Sequence, residues 1–271
     1  MLICGSYQLS LARPLVMGIV NVTPDSFLDG GRHISIDAAL AHAHRLIAEG
    51  ADILDIGGES TRPGAAPVSL AEELARVIPL IEALRGVAVP ISIDTYKPEV
   101  MAAAIAAGAS MVNDINALQD PAALAVVAAH NVAVCLMHKQ GEVQTMQAAP
   151  RYINVVDEVR AFLRERVEAC EAAGIESDRI VIDPGFGFGK SVAHNFAMLG
   201  NLAEFAEIGV PVLAGLSRKS MLGEVTGQPV EQRLSASVAA ALIAGQRGAE
   251  LLRVHDVRAT VDALKVWGAV N

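Results

Sequence analysis

Three cysteines in 271 residues, Cys4, Cys135 and Cys170, are too few and too scattered for a disulfide framework or a paired metal-ligand motif. Cys135 sits within an apolar run and reads as an inert core thiol. No uninterrupted apolar run reaches the roughly 18 residues of a membrane span. The opening "MLICGSYQLSLARP" is broken by Gly5, Ser6 and Arg13 and lacks a signal-peptide core. These absences predict a soluble chain in a reducing cytoplasm, with no membrane partner. Basic residues are also in deficit, 21 Lys and Arg against 30 Asp and Glu, so the net charge of -9 leaves no electrostatic footprint for nucleic acid. An anionic ligand must then be held by a few local Arg, Lys and helix N-termini rather than by a general field. Aromatic residues are only 4% of the chain and Ala is abundant, which suits short helices packed closely on strands.

What the sequence does have is a repeated alternation. Short apolar runs, Val16 to Val20, Ile53 to Ile56, Val89 to Ile93, Met111 to Val112, Val132 to Met137, Ile180 to Ile182, Val212 to Leu216 and Leu251 to Val254, read as eight strands. Helix signals lie between them. Ser69 and Glu72 read as a capping box, and Asp120 as an N-cap followed by Pro121 at the first helical position. Eight strand-helix units without a break in composition predict a single domain over residues 1–271, an α/β chain closed as a (β/α)8 barrel. Periodicity alone also allows an open doubly wound sheet. The first dozen residues read as a short β-hairpin plugging the bottom.

A weak internal repeat supports the barrel. "GADILD" at Gly50, "GASMVN" at Gly108 and "GAELLR" at Gly248 share a helix-ending Gly, then Ala, a polar residue, two apolar residues and a polar one. In a barrel those last residues, Asp55, Asn113 and Arg253, fall at the C-terminal mouth where active sites gather. The other strands end similarly, in Asn21, Asp94, His138 after Met137, Asp183, the run Ser217, Arg218 and Lys219, and His255. Polar tips on apolar strands need partners, so a polar ligand or a mutual network must satisfy them.

"RIVIDPGFGFGKS", Arg179 to Ser191, looks first like a phosphate loop, but Gly185 to Gly189 encloses three residues where that loop needs four, and Pro184 stands where its first Gly would. A flat heterocycle with adjacent N-H donors and a carbonyl fits better. Asp183 would accept two parallel hydrogen bonds from its edge, Lys219 would meet the carbonyl, and Phe186, Phe188 and Met137 would cover its faces. Asp183 capping the following loop is the alternative. "GGESTRPGA" (57–65) and "GLSRKSMLG" (215–223) combine Gly, hydroxyls and cations as anion sites do. Arg218, close to a helix start, calls for a compensating anion or carboxylate.

Taken in order, "MGIVNVTPDSFLDGG", "DILDIGGESTRPGA", "SIDT", "VNDI", "MH" with "GE", "IDPGFGFGK", "GLSRKSMLG" and "RVHDV" resemble the dihydropteroate synthases across nearly the whole chain. These are pterin-binding TIM barrels, transferases of folate biosynthesis. They join 6-hydroxymethyl-7,8-dihydropterin diphosphate to 4-aminobenzoate and release diphosphate. The resemblance implies that Asp94, Asn113, Asp183 and Lys219 hold the pterin, with Ile115, Met137, Phe188 and Gly215 along its faces. Asn21 would be the Mg²⁺ ligand, and Thr61, Arg62, Arg253 and His255 would join it around diphosphate. Phe27, Pro63, Phe188, Lys219 and Ser220 would receive 4-aminobenzoate. Catalysis would rest on Asp94, Lys219, Arg253 and His255 without a protein nucleophile.

The resemblance further implies a homodimer, for which the Ala-rich segments "ASVAAALIAG" and "VDALKVWG" offer a face, and sulfonamides acting as 4-aminobenzoate mimics. The segments "NVTPDSFLDGG" and "STRPGA" are expected to move and to close over diphosphate. Leu28, Lys139 and Val143 depart from the family pattern without touching the assigned residues. His33, His42, His44, His130 and His194 read as surface or packing residues, whereas His138 is open. A related barrel presenting methyltetrahydrofolate to a corrinoid enzyme would have no use for Arg62, Lys219, Ser220 and the "RVH" set. A non-catalytic pterin-binding protein and a sugar-phosphate barrel are the more distant readings.

Overall fold

The computed structural model describes residues 1–22, 32–60, 67–141, 145–147 and 150–270, with the backbone alone for 32–35. A two-stranded antiparallel hairpin, β1 (Leu2–Cys4) and β2 (Tyr7–Leu9), comes first. The chain then alternates: β3 (Leu15–Asn21), α1 (Arg32–Ala48), β4 (Ile53–Gly57), α2 (Leu70–Ala83), β5 (Ile91–Asp94), α3 (Pro98–Ala107), β6 (Met111–Asp114), α4 (Pro121–Ala128), β7 (Ala133–Met137) and α5 (Val155–Ala172). It continues with β8 (Ile180–Asp183), α6 (Val192–Gly200), β9 (Leu213–Ala214), α7 (Ser220–Thr226), α8 (Leu234–Gln246), β10 (Leu251–Val254) and α9 (Val257–Gly268). All eight expected strands form, each within a few residues of its expected bounds.

The strands are parallel, in the order β8-β7-β6-β5-β4-β3-β10-β9. A bridge between Ile182 and Val212, with Ile182 N donating to Pro211 O at 2.9 Å, joins the two ends. Closure pairs the two ends of the eight-stranded sheet with each other, and the open doubly wound alternative is excluded.

Strand periodicity sorts the core into two populations. Val16, Leu54, Ile93, Val112, Leu136, Ile182 and Leu252 face outward and pack with the helices. Met17, Ile53, Met111, Cys135, Val181, Leu213 and Leu251 face inward and fill the barrel. Leu2 and Cys4 of the hairpin are fully buried in that inner cluster, beside residues from the strand starts, so the hairpin plugs the bottom as expected. Each buried aliphatic side chain contributes on the order of 1.5–3 kcal/mol of favourable transfer.

The internal repeat has a structural basis. Gly50, Gly108 and Gly248 end their helices at φ of 100°, 129° and 99°, a left-handed conformation that Gly adopts without steric cost. Two residues on, Asp52 accepts from Val16 N and Glu250 from Val212 N, each at 2.8 Å, satisfying neighbouring backbone donors. The N-cap at Asp120 forms, its carboxylate accepting from Ala122 N at 2.8 Å. The box expected at Ser69 and Glu72 is only half made. Ser69 Oγ accepts from Glu72 N at 3.3 Å, but the Glu72 carboxylate is drawn to Arg76, one turn along the same helix. The reciprocal capping box occurs at α6, between Ser191 and His194.

Candidate active site

The inward parity that fills the barrel also builds its mouth. Continuing two residues at a time past Met17, Ile53, Met111, Cys135, Val181 and Leu251 gives Ile19 and Asn21, Asp55, Asn113, Met137, Asp183, and Arg253 with His255. Strand register sets Asn21 beside Gly57, Gly57 beside Asp94, Asp94 beside Asn113, and Met137 beside Asp183. Residues far apart in sequence are thus brought to one level by the pleat.

Arg253 organises this layer. Its Nε donates to Asp55 Oδ2 at 2.6 Å and its Nη2 to Asp94 Oδ2 at 2.7 Å. Asp55 Oδ2 also accepts from Asn113 Nδ2 at 3.2 Å, whereas its buried Oδ1 has no hydrogen-bond partner among the described residues. Asp55 is fully buried, so one guanidinium is shared between two carboxylates in a poorly solvated setting. Burial pushes the Asp94 carboxyl up to about 7, against the pull of Arg253 and with the repulsion of Asp55 adding to it. Asp183 is likewise raised by burial, opposed chiefly by Lys219. Burial lowers Lys219 to about 8, with Asp183 opposing.

Of the two readings made of Asp183, the loop cap is formed. Its Oδ1 accepts from Gly185 N at 2.7 Å and caps the loop, while the carboxylate remains on the inward face beside Met137. The loop then alternates because its backbone does. Gly185, Gly187 and Gly189 have φ of 71°, 81° and 65°, and a Cβ at Gly185 would lie 1.9 Å from His138 O. The two intervening rings part company. Phe186 is fully buried in the outer core, which corrects its expected role on the ligand face. Phe188 is half-buried, with Lys219 Nζ 4.7 Å from its ring centroid. Lys219 also donates to Phe186 O. At Gly215 a Cβ would sit 3.9 Å from both Asp183 Oδ2 and Arg253 Cβ, so the missing side chain leaves a hollow between them.

His255 lies on the same rim, with Nδ1 2.9 Å from Ser217 Oγ and its backbone N donating to that hydroxyl at 3.2 Å. Ser220 opens α7 and is exposed. Ile115, just past β6, is buried. Arg218 does find the carboxylate its position called for. At φ 59° it donates from Nε and Nη2 to Asp256 at 3.0 and 2.6 Å. Phe27, Thr61, Arg62 and Pro63 lie outside the described residues, as do Leu28, Val143 and most of the segments "NVTPDSFLDGG" and "STRPGA".

Several residues of the site went without a role at the level of sequence. Asp55 and Ser217 stood among the strand tips, and only their partners reveal what they do. Glu59 precedes residues 61–66 and is bound through Lys97 to the buried Glu73 of α2, with Lys97 also donating to Val68 O at 2.9 Å. His138 falls one residue past the inward Met137 and is buried outside the barrel, its ring edge-on to Phe162 with centroids 5.0 Å apart. Burial holds it near 3, with Lys190 adding to the shift, so it is neutral.

Similarity to known proteins agrees with this geometry. The family described as "Pterin binding enzyme" matches residues 17–255. The dihydropteroate synthase of Haemophilus influenzae is 54% identical over 262 residues, 96% of this chain and 95% of the relative. Among solved structures, the dihydropteroate synthase of Xanthomonas albilineans with 4-aminobenzoic acid superposes with a TM-score of 0.92 at 61% identity, covering 97% of this chain and 94% of that one. The same organism's enzyme in complex with 7,8-dihydropteroate gives 0.90 at 58% identity, covering 98% and 97%. Matched along nearly its whole length by family pattern, sequence and fold, the chain belongs to the pterin-binding enzymes and, within them, to the dihydropteroate synthases.

Proposed function

We propose that this chain joins 6-hydroxymethyl-7,8-dihydropterin diphosphate to 4-aminobenzoate, releasing diphosphate and forming 7,8-dihydropteroate in folate biosynthesis. One observation carries the reading: acceptors suited to a heterocycle edge, Asp94, Asn113 and Asp183, share an inward parity with the cation Arg253 and stand beside Lys219. Asp183 would take the paired N-H groups of the pterin edge and Lys219 its carbonyl. Met137 and Phe188 would cover the ring, and the hollow at Gly215 would admit it. Phe188 with the Lys219 stem and Ser220 would receive 4-aminobenzoate.

The reaction is substitution at the exocyclic methylene of the pterin. The carbon-oxygen bond to diphosphate breaks, the arylamine nitrogen bonds to that carbon, and one amine proton passes to solvent. Arg253, with His255, would hold the departing diphosphate. Asp94, ionised, would stabilise positive charge developing on the pterin. The groups act by position and preorganised charge, with no covalent enzyme intermediate.

Asn21 ends β3 with its Oδ1 near Gly57, close to Asp94. A single uncharged oxygen donor of this kind fits Mg²⁺, which keeps several waters and binds through substrate phosphates. When bound there, Mg²⁺ would neutralise charge on the leaving diphosphate. We further propose a cytoplasmic, single-domain homodimer. Its face would use α8 and α9, where Ile243 and Val266 are exposed. Among the described residues no helix is long and apolar enough to cross a membrane.

The test is diphosphate release by the purified protein with pterin diphosphate, Mg²⁺ and 4-aminobenzoate, omitting each in turn. Release that needs both organic substrates, with dihydropteroate as product, supports the reading. Pterin binding without release would leave only a pterin-binding barrel.

A further inference from the structure

Lys190 was assigned nothing at the level of sequence, yet its side chain is one of the most buried cations in the protein, 2% exposed. Its Nζ lies 2.9 Å from His138 Nδ1 and from Gly185 O, 3.0 Å from Phe188 O and 3.3 Å from His138 O. With His138 neutral and its proton on Nε2, all four partners are acceptors. An ammonium has three protons and no acceptor, so it satisfies the three closest partners, while a neutral amine cannot. The cage therefore requires the charged form.

The cage clamps both ends of one loop. Lys190 takes the carbonyls of Gly185 and Phe188 and ties them to the end of β7 through His138. The carbonyls between and beyond are also held by side chains: Phe186 O by Lys219, Gly187 O by Gln147, and Gly189 O by Tyr152. Asn195 completes the frame, accepting from Gly187 N at 2.7 Å and donating to Lys190 O and Ser191 O. A five-residue turn with three left-handed glycines has few strand or helix bonds of its own, so its shape depends on these donors.

We propose that Lys190 is a positioning residue for the pterin subsite: its caged ammonium fixes the turn that sets Phe188 against the ring and keeps Asp183 and Lys219 in register. It does not touch substrate. The inference rests on the pterin reading above and specifies how that subsite is held. The charged and titratable groups facing Lys190 are Asp183 from β8, His138 after β7 and Lys219 before α7. Burial and Lys219 weaken its hold on a proton, bringing it to about 7, with Asp183 opposing.

The experiment compares Lys190→Met and Lys190→Arg with the wild type in steady-state turnover, thermal melting and calorimetric binding of 7,8-dihydropteroate. In Lys190→Met, assayed well below its melting point, KM for the pterin substrate should rise tenfold or more and kcat should fall less than threefold. Lys190→Arg, which keeps charge and donors, should recover a large part of that KM. In a Phe188→Ala background, Lys190→Met should change pterin KM by clearly less than it does alone, since one of the groups it positions is gone. A wild-type-like pterin KM in Lys190→Met, or full additivity with Phe188→Ala, would overturn the proposal. Should Lys190→Met not fold, hydrogen exchange on Lys190→Arg decides: exchange at Gly185, Gly187 and Phe188 that quickens in step with pterin KM supports the clamp, and a raised KM with exchange unchanged from the wild type refutes it. A wild type that neither binds pterin nor turns over would instead sink the functional reading on which the inference rests.

Discussion

Arg253 Nη2 stands 2.7 Å from Asp94 Oδ2, a pair made across the barrel mouth between β10 and β5, strands that β3 and β4 separate. The same guanidinium meets Asp55 at 2.6 Å, so one cation serves two carboxylates before any diphosphate arrives. Arg253→Ala should lower kcat/KM on the order of 10³-fold, the scale of a lost transition-state donor. It should also cost about 3 kcal/mol of stability near neutral pH by leaving a buried pair broken. That deficit should shrink as the pH falls and Asp94 protonates. Cys135→Ser, inside the barrel but outside the chemistry, should keep kcat/KM within about threefold. Comparable losses from both variants in steady-state kinetics would remove Arg253 from its assigned role.

Asp55→Asn tests the residue that sequence left without a role. The amide still meets Asn113, but Arg253 loses its charge-assisted Nε partner. kcat/KM should fall by about tenfold to a hundredfold, mostly in kcat, because the guanidinium is no longer preorganised for the leaving group. An unchanged kcat would mean that Asp94 alone orients Arg253.

The pH profile follows from Asp94. Its carboxyl is raised to about 7, so it carries charge above that value and loses it below. The value of kcat/KM for the pterin substrate should therefore drop as pH falls through about 7, approaching tenfold per unit. In Asp94→Asn this acid limb should vanish. An identical limb in the variant would assign the ionisation elsewhere, with Asp183, which burial also raises, the next group to change.

The two phenylalanines of one turn should behave as different kinds of residue. Phe186 is fully buried in the core outside the barrel, so Phe186→Ala should cost about 3–5 kcal/mol in denaturant unfolding. Phe188 is half-buried beneath Lys219, so Phe188→Ala should leave unfolding within about 1 kcal/mol while raising KM for both substrates. Equal stability losses would show that the rings share one environment.

Gly185→Ala should be among the most damaging single-methyl changes. The residue has φ of 71°, and the added Cβ would overlap His138 O at 1.9 Å. The left-handed conformation alone costs about 1–2 kcal/mol for Ala, and the overlap forces the loop to move. Unfolding stability should fall by more than about 2 kcal/mol and dihydropteroate binding should be lost. A variant of native stability would show that the turn tolerates another path.

Much of the architecture was written into local pattern. Short apolar runs bounded by helix caps named all eight strands, because strand and helix periods differ and Gly50, Gly108 and Gly248 mark the helix ends by backbone geometry. The repeat Gly-Ala-polar-apolar-apolar-polar placed Asp55, Asn113 and Arg253 at the mouth for the same reason. Two local readings gave way to tertiary competition. Glu72 left its cap for Arg76, and Phe186 turned into the core although its neighbour Phe188 stayed at the site. A ring's destination in a turn of alternating glycines depends on what surrounds the turn.

The sequence by itself determined the order of elements, the strand tips and, through ordered motifs, the family. Those follow from short-range rules of propensity, capping and periodicity. Only the tertiary structure decided which tips share a partner. Barrel closure brings Asp55, Asp94 and Arg253 within hydrogen-bond distance across as many as 198 residues of chain. It also turned Lys190 from the tail of an apparent phosphate motif into the buried clamp of a loop, because a cation's role is set by the acceptors around it and sequence does not show who they are.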